Sequence, residues 1–271
     1  MISVVKNWNK KRLLARRNAR DDRELAEVCE KLSGALSGVN IPVLVVAYNN
    51  WPYVEMMCDQ LSRFSVMPII INNKSSDLVT NDRLQSLADS GRAVLINMPK
   101  NYGHMVGFVD KIYRILPDVF AYTDPDIKFP PTLPSDFLHQ LKNLAELHCS
   151  YKAGLALSLS VDGVRACAER SNVVNLTEPF FFARNFDVQE WESFFWCKRL
   201  ASMSHEIYSA PVDTTFAVYL KKNFNGNFLH NSIRVAGDFS SIHLPWFPHM
   251  DPMDGRAKEA YLVGNKSSTW L

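Results

Sequence analysis

The sequence lacks what a membrane, a secretory route or a zinc site would require. Its 271 residues contain no run of about 18 apolar positions, the length that spans a bilayer. The N-terminus has no apolar core of the signal-peptide kind, which speaks against export. The five cysteines, Cys29, Cys58, Cys149, Cys167 and Cys197, include no Cys-x-x-Cys pair and no zinc spacing. An odd, dispersed set reads as reduced thiols, and the expected location is the cytoplasm. A formal net charge of only +2 makes no electrostatic case for a nucleic-acid partner. Internal repeats and low-complexity linkers are also missing, which favours one main domain.

What is present is the composition of an ordinary globular protein, 47% hydrophobic and 21% charged. A chain of this length buries a substantial core. Its basic residues crowd at the start: residues 1–23 hold eight Lys or Arg against two Asp. Residues 1–38 read as a helical extension and residues 39–271 as the main domain. The face bearing Lys6, Lys10, Lys11, Arg12, Arg16, Arg17 and Arg20, with Trp8, suits peripheral contact with an anionic membrane. A solvated helix packed on the domain, or a partner contact, accounts for it equally well.

From residue 41 onward, short apolar runs alternate with helical spacing. Ile41-Pro42-Val43-Leu44-Val45-Val46-Ala47 is rich in β-branched residues, as a strand buried on both faces would be. Val54, Met57, Leu61 and Phe64 follow at helical spacing. Pro68 to Ile71 and Ala93 to Ile96 repeat the strand pattern around a helix marked by Leu84 and Leu87. A further helix is expected from Asn101-Tyr102-Gly103-His104 through about Leu116, a strand over Val119 to Tyr122, a helix containing Phe137, Leu138, Leu141 and Leu144, and a strand over Lys152 to Leu159. Such alternation predicts an α/β fold with a mostly parallel sheet flanked by helices. Ligands of such sheets bind beyond the carboxyl ends of the strands, where the polar loops fall.

One of those ends carries Asp124-Pro125-Asp126. Proline between the carboxylates disfavours regular pairing, so the pair is expected just past its strand. Oxygen ligands of this kind suit Mg2+ or Mn2+, which keep several waters and bridge carboxylates to substrate phosphates. A solvated turn is the plainer reading of the same residues.

Taken in order, the strand ending in Tyr48-Asn49, the turn Asn72-Asn73-Lys74-Ser75-Ser76-Asp77, the Asn101-x-Gly103 element and Asp124-Pro125-Asp126 resemble the nucleotide-sugar-dependent glycosyltransferases of the GT-A fold. The resemblance is to the large family 2 type that builds bacterial surface polysaccharides, over roughly residues 41 to 250. It implies a Rossmann-like sheet, a Mn2+ or Mg2+ cofactor, a nucleotide-sugar donor of the UDP or GDP type and a glycan or lipid-linked acceptor. By that likeness Ala47, Tyr48, Asn49, Asn73, Asn101, Gly103, His104 and Asp124 border the donor, and Asp124, Asp126 and His243 hold the metal. Asn72 stands where the family usually has an aspartate for the base or ribose, which leaves the nucleotide open.

For the catalytic carboxylate the likeness offers Asp213, at the start of a segment read as a helix over Phe216 to Leu220. Val212 replaces the glutamate usual before it, and a capping aspartate without chemistry is the alternative. Glu192, among Trp191, Phe194, Phe195 and Trp196, is the rival. Arg234 is a further candidate for phosphate charge, and His230 and His249 are weaker metal candidates. Two other functions remain in view, a nucleotidyltransferase and a non-catalytic sugar-nucleotide-binding module. The first lacks support in Tyr48-Asn49-Asn50-Trp51-Pro52, which has no glycine-rich basic loop.

Overall fold

A computed structural model describes residues 23–157, 198–247 and 249–263 of the chain. Its centre is a nine-stranded sheet in the order β3-β2-β1-β4-β9-β6-β10-β8-β7. The first four strands are β1 (Val43–Ala47), β2 (Ile69–Asn72), β3 (Val94–Asn97) and β4 (Val119–Thr123). β1 pairs in parallel with β2 and with β4, and β2 with β3. Beyond them lie β6 (Lys152–Leu155), β7 (Arg199–Leu200), β8 (Ile207–Ser209), β9 (Ala217–Leu220) and β10 (Ser232–Val235). Only β8 and β9 run against the common direction. This is the mostly parallel α/β sheet that the alternating sequence pattern predicts.

Both faces of the sheet are covered. Val43 and Val45 meet Met57 and Leu61 of α2 (Trp51–Ser62) and Leu141 and Leu144 of α5 (Phe137–Leu147). Leu44 and Val46 point the other way, into a cluster with Leu25, Val28, Leu32 and Leu36 of the helix α1 over residues 23–36 and with Ile112 of α4 (Asp110–Ile115). Helix α3 (Leu78–Asp89) adds Leu84 and Leu87 against Ile70 and Ala47. A last helix, α6 (Gly255–Leu262), is capped by the Asp254 side chain, which accepts from the Ala257 N–H. None of the helices among the described residues is long and apolar enough to cross a membrane.

Chain order places the crevice. From β1 the chain steps outward to β2 and β3, then returns across β1 to β4. Loops leaving β1 and β4 therefore diverge, which opens a crevice at the carboxyl ends of those two strands.

Three expectations need correction. The segment Ala217–Leu220 is a strand rather than a helix, antiparallel between β4 and β6. Phe216, Val218 and Leu220 enter one core and Ala217 and Tyr219 the other, a period of two that so short an apolar run does not reveal by itself. Asp213 thus precedes a buried strand and caps no helix. The helix expected up to Leu116 is broken into a 3-10 turn, Val106–Phe108, and the short α4. Gly107 lies in that turn, where a Cβ would lie 2.4 Å from Cε2 of Tyr122. The strand expected over Lys152 to Leu159 leaves regular pairing after Leu155, with Leu157 making an isolated bridge to Ser241, and Ser158 and Leu159 lie outside the described residues.

Candidate active site

The strand β4 ends at Thr123, so the acidic pair lies just past it. Asp124 is tied to the start of β9: its N–H donates to the Thr214 carbonyl (3.0 Å), and the Thr214 hydroxyl donates to its carboxylate. Asp126 opens the two-residue strand β5 (Ile127–Lys128), which pairs antiparallel with β11 (Ile242–His243). That register sets His243 against Ile127 and brings its Nε2 to 3.2 Å from Oδ2 of Asp126. Buried Gln60 of α2 fixes β5 from below, donating from Nε2 to the Ile127 carbonyl (3.0 Å) and accepting at Oε1 from the Phe129 N–H (2.6 Å). The Asp126 carbonyl accepts from Leu244 N–H (2.9 Å). Its other carboxylate oxygen, Oδ1, is buried and has no hydrogen-bond partner.

The neighbouring carboxylate is no less constrained. Burial raises the Asp124 carboxyl well above the carboxylate range, the Asp126 charge adds to the rise, and the Thr214 hydroxyl opposes it. Tyr53, whose hydroxyl donates to Oδ1 of Asp251 (2.8 Å), is also pushed up by burial and then by the charges of Asp126 and Asp251. Acidic charge is thus concentrated in a poorly hydrated place, which a divalent cation would relieve.

Asp213 lies next to this pair through Thr214 and is exposed. Its backbone carbonyl accepts from Lys152 Nζ and from the Tyr219 hydroxyl, both at 3.2 Å. Lys152 is fully buried, with Nζ 3.6 Å from the ring centre of Phe228. Burial lowers its ammonium from 10.5 to about 7; the Asp213 charge opposes that shift and the Arg234 charge assists it. Arg234, a candidate for phosphate charge, is buried and donates from Nε to the Pro211 carbonyl (2.9 Å).

A stability prediction follows from Lys152. Between about pH 7 and 10.5 the unfolded chain binds more protons at this site than the folded one, so folding stability rises with pH there. Denaturant titrations across that window should show a wild-type slope steeper than that of Lys152→Met by up to about 1.4 kcal/mol per pH unit. Equal slopes would rule out the buried ammonium as the source.

On the β1 and β2 side, asparagine amides lace the loops together. Asn49, buried and at φ 50°, accepts at Oδ1 from the N–H groups of Ser76 (2.8 Å) and Asp77 (3.0 Å). Its Nδ2 donates to the Ser76 hydroxyl and the Ala260 carbonyl, both at 3.0 Å. Those bonds fill the side chain's capacity, so Asn49 ties the loop after β1 to the turn after β2 and to α6. Asn73 holds the next loop, donating to Asn101 Oδ1 (2.9 Å) and the Gly103 carbonyl (2.8 Å) and accepting from Tyr102 N–H (2.8 Å). Asn72 donates to Asn81 and Asn97 and accepts from Ser75 N–H. An aspartate there would turn a double donor into an acceptor facing two amide oxygens.

Other expected positions are distributed around this frame. Ala47 is buried, and its carbonyl accepts from Asn73 N–H (2.8 Å), so it contributes to the loop anchorage and the core. Tyr48 is half-buried, and Asn101 and His104 are exposed. The Tyr122 hydroxyl donates to the His104 carbonyl (2.5 Å) and so pins that loop against β4. Gly103 has φ 78°, a left-handed turn in which glycine is unstrained. His230 and His249 are exposed, and Glu192 lies outside the described residues.

No group of three or more His, Cys, Asp or Glu side chains among the described residues forms a closed metal cage. Of the expected ligands, His243 Nε2 and Asp126 Oδ2 meet at 3.2 Å, and Asp124 is held beside them by Thr214. Mg2+ and Mn2+ need no such cage when substrate phosphates and water complete the shell. The bare Oδ1 of Asp126 fits an ion bound in that way.

Lys152, Tyr219 and Thr214 escape sequence reasoning because their partners are far apart in the chain. The one local signal is a lysine within an otherwise apolar strand run.

No family model matches the sequence, and no curated protein matches it. Among solved structures, one match is the mannosyltransferase PcManGT from Pyrobaculum calidifontis, in complex with GDP-Man and Mn2+. It has a TM-score of 0.40 and 12% identity, and the alignment covers 77% of this chain and 55% of that one. The chain thus spans about half the length of that enzyme.

Proposed function

We propose that the protein is a metal-dependent glycosyltransferase that moves a sugar from a UDP- or GDP-type donor to a hydroxyl of a glycan or lipid-linked acceptor. The observation that carries this reading is the buried Asp126 carboxylate at the sheet's switch point, with Oδ2 engaged by His243 and Oδ1 bare. In this reading Oδ1 takes Mn2+ or Mg2+, His243 orients the carboxylate, and Asp124 lies beside it toward the ribose or a metal-bound water. The ion, when bound, supplies Lewis-acid stabilisation for the negative charge gained by the departing diphosphate. Tyr48, with its half-buried ring, borders the base, and the Asn73-Asn101-Gly103 loop and His104 flank the donor.

Asp213 is the proposed base. Its exposed carboxylate accepts the acceptor hydroxyl's proton as oxygen attacks the anomeric carbon from the side opposite the diphosphate, which is inverting transfer. Synthesis of bacterial surface polysaccharide is the role proposed for that activity, with residues 1–23 as a peripheral membrane contact.

Calorimetry with UDP and GDP, with and without Mn2+, tests the reading. Wild type should bind one of them in a Mn2+-dependent way, and a folded Asp126→Ala protein should lose at least about tenfold in affinity, or about 1.4 kcal/mol. Undiminished Mn2+-dependent binding by that variant would refute the assignment of Asp126.

A further inference from the structure

The backbone that carries Asp213 is held at almost every carbonyl, mostly by side chains of neighbouring strands. Ser232 Oγ donates to Ala210 (2.6 Å), Arg234 Nε to Pro211 (2.9 Å), and Asp124 N–H to Thr214 (3.0 Å). Lys152 Nζ and the Tyr219 hydroxyl both reach the Asp213 carbonyl. Close packing reinforces the hold, since a Cβ on Gly154 would lie 2.9 Å from Val212 Cγ1.

Lys152 stands out among these donors. A neutral hydroxyl already reaches the Asp213 carbonyl, so Lys152 is not needed for hydrogen-bond satisfaction. Its burial is costly, and among the described residues it meets no carboxylate within ion-pair distance. The rings of Phe228 and Tyr219, at 3.6 and 5.2 Å, offset part of that cost.

We propose that Lys152 is a positioning residue for the transfer reaction: with Tyr219 it clamps the Asp213 carbonyl from inside the sheet and holds the exposed carboxylate next to Asp124. The role rests on the glycosyltransferase reading, with Asp213 as base. It separates two parts of the site, because Lys152 touches the Asp213 segment and none of the asparagine-laced loops that border the donor.

Lys152→Met and Tyr219→Phe test it, with release of nucleoside diphosphate from UDP- and GDP-sugars in Mn2+ as the rate and calorimetry with UDP and GDP as the affinity. Lys152→Met should lower kcat by on the order of 10²-fold, the scale of a misplaced reacting group, with nucleoside diphosphate affinity held within about 2-fold. Tyr219→Phe should show the same split with a smaller loss, about tenfold, and carries the test if Lys152→Met does not fold. Unchanged kcat in a folded Lys152→Met protein, or affinity falling in step with kcat, would overturn the positioning role alone. A wild-type protein that neither binds UDP or GDP with Mn2+ nor releases either from a nucleotide sugar would overturn the glycosyltransferase reading, and this role with it.

Discussion

Asp213→Asn is expected to lower sugar transfer by on the order of 10² to 10⁴-fold, the usual contribution of a positioned general base. An amide keeps the volume of the side chain but cannot take a proton from the acceptor hydroxyl. The fold should be unaffected, because Asp213 is tethered through its backbone carbonyl and its side chain is exposed. Nucleoside diphosphate affinity should likewise stay near the wild-type value. Initial rates at saturating donor, set beside calorimetry, separate those two effects. Turnover retained in the variant would remove Asp213 from the chemistry and return attention to Glu192.

The second large effect is structural. Asn49→Ala removes a buried side chain that makes four hydrogen bonds, to Ser76 N–H and hydroxyl, Asp77 N–H and the Ala260 carbonyl. It also puts alanine at φ 50°, a backbone region that asparagine tolerates better. At about 1 kcal/mol for each net bond, with partial rehydration of the groups left behind, the expected loss is roughly 3 kcal/mol. For a chain of this size that lowers Tm by roughly 6 to 12 °C. Donor affinity should fall as well, since the loop after β1, the turn after β2 and helix α6 all meet at this amide. A variant as stable as wild type would show that the loops hold their places without Asn49.

The first half of the sheet was legible in the sequence, and for a clear reason. β1 and β2 are fully buried branched runs and β3 a partly buried one, all bounded by polar loops, and each strand ends within a residue or two of where its apolar run stops. Asp124-Pro125-Asp126 falls past β4, as proline's inability to donate to a ladder requires. The His243 segment was legible only in part. The family likeness singles out His243, but only the pairing of its strand with β5 shows that its ring meets Asp126.

What the sequence hid is non-local. Ala217–Leu220 is too short for its period to be read, and its identity as a strand comes from insertion between β4 and β6. Its placement is what brings Thr214 to Asp124 and Asp213 to Lys152. The asparagines read as polar loop residues. Folding turns Asn49 and Asn72 inward, where they hold the loops in place.

The most direct test of the glycosyltransferase reading is a crystal structure of the protein with Mn2+ and whichever of UDP or GDP it binds. The expected result is Mn2+ on Oδ1 of Asp126, bridging to the diphosphate, with the nucleoside at the carboxyl ends of β1 and β2 and Asp213 on the open side. A diphosphate bound away from Asp126, or a nucleotide outside the crevice between β1 and β4, would contradict it.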